Sequence, residues 1–78
     1  MSDHFAKVEW RYSAHPQQPT SYSRDHTATL ENGQVIANSA APAFLGNAAM
    51  ANPETLLLAA LASCHMLTFL AVASKSSE

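Results

Sequence analysis

Residues 52–74 read NPETLLLAALASCHMLTFLAVAS, and this stretch decides the fold. Asn52 suits an N-cap, and Pro53 suits the first helical position, where its missing N–H is no loss. Glu54 complements the positive end of the helix dipole. The pattern predicts a helix over about 53–74, roughly 22 residues and about 33 Å long. Its large apolar residues, among them Leu56, Leu58, Leu61, Met66, Phe69 and Val72, fall on every side of the wheel. A helix apolar all round must be enclosed all round.

Upstream of the helix the period changes from 3.6 to 2. In residues 5–12, Ala6, Val8, Trp10 and Tyr12 alternate with Lys7, Glu9 and Arg11, as in a strand with one wet face. Pro16 and Pro19 then interrupt regular structure. Second and third strands are predicted over 22–30 and 34–38. Asn32-Gly33 between them tolerates the positive φ of a type I′ turn, so the two should form an antiparallel hairpin. Arg24 falls on the inward phase with Tyr22, His26, Ala28 and Leu30. There it either meets an anion or reaches solvent from the strand's end. Residues 39–51 are an uncharged, small-residue connection that Phe44, Leu45 and Met50 should pin to a core, and residues 74–78 read as a frayed end.

The 78 residues carry a net charge of −2 and one cysteine, which limits the chain to one small domain without an internal disulfide. Four Lys and Arg residues spread along the sequence make no basic patch, which argues against nucleic acid. No charged residue falls between Glu54 and Lys75, a span as long as a bilayer requires. Ser63, Cys64, His65 and Thr68 in its middle argue against a membrane span. A reduced thiol fits the cytoplasm. A compact chain of this length would be about 30 Å across, so the helix spans the whole object and three short strands can cover one face. A partner chain or further sequence must cover the rest, and a homodimer is expected.

Chemically, Cys64 stands out. A thiol becomes reactive when a cation, base or helix N-terminus favours the thiolate, and Cys64 lies too deep in its helix for the dipole to help. Arg24 is then the donor to consider. The alternative is a buried cysteine packing as a small hydrophobe. His65 points about 100° away around the helix, whereas Thr68 shares the face of Cys64. One Cys and four scattered His give no metal-ligand spacing, and no glycine-rich phosphate loop is present, so neither metal nor cofactor is expected.

The run from Asn52 through Ser63-Cys64-His65 to Leu70 resembles the central helix of the OsmC/Ohr family of thiol peroxidases. Tyr22-Ser23-Arg24-Asp25-His26 and the segment from Ser39 through Pro42 to Gly46 are similar to one OsmC-like branch, so the likeness runs from about Phe5 to Ala73. The resemblance implies an α+β fold of antiparallel strands packed on a long, buried central helix. It implies an antioxidant oxidoreductase of the oxidative stress response, reducing organic hydroperoxides. Cys64 matches the attacking cysteine, Arg24 the activating arginine and Glu54 a glutamate that can hold the guanidinium. Apolar walls such as Phe44, Leu45 and Met66 would suit an alkyl peroxide. Dithiols, lipoyl groups included, are the reductants the resemblance implies.

Glu54 and Cys64 lie about 15 Å apart along one helix, so a shared site is expected to draw on two chains. Family members are about twice as long and carry a second cysteine after the helix. The chain is therefore expected to be one incomplete domain over 1–78, corresponding to the family's N-terminal half. A catalytically incompetent oligomerisation module with a structural Cys64 is the alternative. A membrane-associated hairpin-helix peptide is a weaker one.

Overall fold

The computed structural model describes residues 3–76. Three strands, β1 (Ala6–Glu9), β2 (His26–Leu30) and β3 (Val35–Asn38), form an antiparallel sheet in the order β1-β2-β3. A single 3₁₀ turn (Pro42–Phe44) follows, and then one long helix, α1 (Pro53–Ser76). The fold class is α+β, as expected from the sequence.

Register explains the sheet's two faces. Val8 lies opposite Ala28, Ala28 opposite Ile36, and His26 opposite Asn38. Residues directly opposite share a face, so Ala6, Val8, Ala28, Leu30 and Ile36 form one apolar side. Lys7, Glu9, Thr27 and Thr29 form the other. The hairpin turn differs from the type I′ expectation. Thr29 pairs with Val35, the Gly33 N–H donates to the Leu30 carbonyl at 2.9 Å, and Gly33 has φ +89°. Asn32 is not in the left-handed region, so the loop is three residues, Glu31 to Gly33, closed by a left-handed glycine. A two-residue loop would have set Ile36 against Thr29 and split the apolar side, because a one-residue slip reverses a strand's faces.

The first two strands are shorter than their alternation suggested. β1 ends at Glu9 rather than Tyr12, and β2 begins at His26 rather than Tyr22. Tyr22 pairs only through an isolated bridge to Ala14. Arg24 therefore stands outside the strand, in the excursion between β1 and β2.

The helix begins as its cap dictates. Asn52 Oδ1 accepts the Thr55 N–H at 2.9 Å, and the Leu56 N–H donates to the Asn52 carbonyl at 3.0 Å. Helical structure continues to Ser76, past the expected fraying point at Ser74, and Ser77 and Glu78 lie outside the described residues.

Within one chain the strands do not enclose α1. None of its described residues is buried, and eight of its large apolar side chains (Leu57, Leu58, Leu61, Met66, Leu67, Phe69, Leu70 and Val72) are 51–68% exposed. Sizeable contacts between elements are those of β1 with β2 and β2 with β3. The radius of gyration is 17.2 Å and the long dimension 61 Å. A compact chain of this length would have a radius of about 11–12 Å. No apolar side chain among the described residues is buried, so Phe44, at 66% exposed, pins the 39–51 connection to no core. The enclosure that an all-round apolar helix requires has to come from outside this chain.

Candidate functional site

The excursion between β1 and β2 is folded by its own hydrogen bonds. The His15 N–H donates to the Ser21 carbonyl at 3.1 Å, and the Ser23 N–H to the Ser13 carbonyl at 2.8 Å. The Trp10 indole N–H reaches across to the Ser23 carbonyl at 2.9 Å. Arg24 emerges at its end, half-buried. Its Nη1 donates to Ser21 Oγ at 2.9 Å and also to the Tyr22 carbonyl. Its guanidinium carbon lies 3.8 Å from the centre of the Tyr22 ring. A cation so placed over a ring is worth about 0.5–1 kcal/mol where water has access. Trp10 meets Tyr22 edge-on at 6.2 Å and Tyr12 at 6.3 Å, extending the aromatic support.

The residues after Arg24 are tied to the end of β3. The His26 Nδ1–H donates to the Arg24 carbonyl at 2.8 Å, and the Asn38 side-chain amide donates to His26 Nε2 at 3.1 Å. A carbonyl can only accept, so Nδ1 of His26 carries a proton in this arrangement. The Ser39 hydroxyl donates to Asp25 Oδ1 at 2.9 Å and accepts the Asn47 N–H at 3.1 Å. The Ser39 N–H donates to the Ala51 carbonyl at 2.8 Å, one residue before the helix cap.

A second loop closes over this cluster. Leu45 takes the left-handed conformation at φ 63°, and its carbonyl accepts the His15 Nε2–H at 3.1 Å. The His15 Nδ1 accepts the Gln17 and Gln18 N–H groups at 3.1 and 3.2 Å. Gly46 passes so near the chain that a Cβ there would fall 1.6 Å from the Ala40 carbonyl oxygen, so only glycine fits. Between the loops lies a cleft of about 550 Å³, lined by His15, Ser23, Arg24, Asp25, Leu45 and Asn47 among others.

The structure thus gathers Arg24, Asp25 and Leu45 around one cleft. Glu54, Cys64 and Met66 lie apart from it on α1, exposed, and Phe44 is exposed on the 3₁₀ turn. Among the described residues no ion pair joins Arg24 to Glu54. No three His, Cys, Asp or Glu side chains among the described residues gather as a metal site requires.

One solved structure aligns with nearly the whole chain. It is an OsmC-like protein of unknown function from Vibrio cholerae O1 biovar eltor, 40% identical, with a TM-score of 0.83 over 97% of this chain and 53% of that one. The chain belongs to the OsmC-like family. It spans about half the length of that relative. No family model matches the chain, and no curated protein matches it.

In this OsmC-like chain the polar support of Arg24 is what sequence reading missed. Asn38 and His15 carry no motif of their own, and Ser39 opens a segment that marks only a family likeness. A signal existed in Asn38, a polar residue two places after Ile36 on the apolar phase of β3. The Asn38 Oδ1 is buried without a hydrogen-bond partner among the described residues.

Proposed function

We propose that this OsmC-like chain belongs to a thiol-dependent peroxidase that reduces organic hydroperoxides through Cys64. The observation that carries the reading is the chain's one cysteine, lying mid-helix in a motif that resembles the family's peroxide-attacking cysteine. The Cys64 thiolate attacks the distal oxygen of the peroxide, the O–O bond breaks, and the sulfur becomes a sulfenic acid. The leaving alkoxide takes a proton and departs as an alcohol. A dithiol reductant, lipoyl-type groups included, then returns the sulfenic acid to the thiol, releasing water and its own disulfide. Arg24 supplies a fixed cationic fork beside the thiolate and leaving oxygen, and Glu54 orients that fork by a bidentate pair. Leu45, Phe44 and Met66 contribute apolar walls for an alkyl peroxide.

Arg24 and Cys64 occupy different parts of one chain, so the reaction needs them brought together in an assembly, and we assign that role to a homodimer. The α1 helix is long and apolar enough to cross a membrane by length and composition. His65 and its polar neighbours at mid-helix favour burial against protein instead. A free thiol at the site fits a reducing compartment, so the cytoplasm is the proposed location.

Turnover tests the reading. With dihydrolipoamide as reductant, the protein should consume cumene hydroperoxide catalytically, and Cys64→Ser should not. Equal consumption by the two proteins would remove Cys64 from the chemistry. The exposed apolar surface of α1 favours one rival, an oligomerisation module with an inert thiol. Titrating the native protein with a thiol reagent separates the two, since the module predicts an unreactive Cys64.

A further inference from the structure

Burial in this chain is spent in an unusual place. Among the described residues no hydrophobic side chain is buried, and the three buried residues are Ser23, Asn38 and Ser39, at 6%, 5% and 0% exposure. All three belong to the hydrogen-bond network around Arg24. Ser23 precedes it, and its hydroxyl accepts the Asp25 N–H at 3.2 Å. Asn38 fixes His26, whose ring holds the Arg24 carbonyl. Ser39 fixes the Asp25 carboxylate and ties it to Asn47 in the loop across the cleft.

We infer that Asn38 and Ser39 are positioning residues that clamp the Arg24-Asp25-His26 segment, so that the guanidinium is presented to Cys64 in one orientation. The role rests on the peroxidase reading, which makes Arg24 the activating group. It goes beyond that reading by naming what holds Arg24. Two consecutive residues at the end of β3 grip two consecutive residues after Arg24, one through a carboxylate and one through an imidazole. The Arg24 backbone is thereby fixed to the sheet, while Ser21 and Tyr22 fix its side chain. The same Ser39 bonds to Ala51 through its backbone, so the clamp is continuous with the start of α1, the helix that carries Glu54 and Cys64.

The test uses Ser39→Ala and Asn38→Ala in the full protein, each alone and combined with Arg24→Ala. Two readouts are followed: the rate of Cys64 oxidation by cumene hydroperoxide, and the Arg24 Nε–H NMR signal. Displacing a catalytic group by about an ångström costs up to about 10²-fold, so each clamp variant should slow oxidation about 10- to 100-fold. Neither should slow it further when Arg24 is already alanine, and in each the Arg24 signal should shift or broaden. A merely structural role predicts the same fold-loss with or without Arg24, together with an unmoved Arg24 signal, and either result overturns the clamp. Failure of both clamp variants to fold, with Arg24→Ala folding normally, also overturns it. Should Cys64 of the unaltered protein not react with the peroxide, the peroxidase reading falls, and the Arg24 signal alone decides the clamp.

Discussion

Replacing Arg24 by alanine should slow oxidation of Cys64 by cumene hydroperoxide by about 10²-fold or more, while a thiol-independent measure such as far-UV circular dichroism stays unchanged. The size follows from what the guanidinium is asked to do. In the proposed mechanism it would favour the thiolate over the thiol and face the oxygen on which charge develops as the O–O bond breaks. Losing one preorganised donor at such an oxygen typically costs about 10²–10³-fold. Arg24→Lys should recover only part of the rate. Lysine keeps the charge, but it lacks the planar fork that bonds to Ser21 Oγ and lies over the Tyr22 ring. Stopped-flow or quenched-mass measurement of the rate constant decides the matter. A rate unchanged in Arg24→Ala would take Arg24 out of the mechanism.

A second large effect concerns assembly. Fully burying one large apolar side chain is worth about 1.5–3 kcal/mol, so the eight on α1, still 51–68% exposed, represent on the order of 10 kcal/mol of unused burial. A helix in that condition recruits a partner, and Leu61, mid-helix and 60% exposed in the single chain, should lie inside the resulting core. The protein should therefore sediment as a dimer. Leu61→Glu should abolish that dimer and most of the helical signal, because an unpaired charge in a core is far costlier than the lost methyls. Lys7→Gln on the wet face of β1 should leave the dimer intact. A monomer that keeps its helix, or a dimer indifferent to Leu61→Glu, would contradict this.

How much of this was legible in the sequence depends on range. The helix start was, because Asn52, Pro53 and Glu54 act within one turn of themselves. The hairpin was legible, but its loop length was not. Asn32-Gly33 accommodates either turn, and the decision rests on which cross-strand partners keep Ala28 against Ile36. The strands before His26 and after Glu9 were over-extended because alternation continues where pairing stops. At Ser23 the side chain bonds to the Asp25 N–H, and such local bonds compete with a strand ladder. The need to enclose α1 could be read from its apolar wheel, whereas the identity of what encloses it is written in no local pattern. The proposed clamp on Arg24 left one local trace, a polar Asn38 on the apolar phase of β3, and none at Ser39. Asn38 and Ser39 become functional candidates only when the register sets β3 beside the residues that follow Arg24.

The most direct measurement is intact mass after a short pulse of cumene hydroperoxide, with Cys64→Ser and a generic exposed thiol as references. A peroxidatic Cys64 predicts rapid gain of about 16 Da, one oxygen atom, on the unaltered protein, none on Cys64→Ser, and far slower gain on the reference thiol. Oxidation of Cys64 no faster than that of the reference thiol would contradict it.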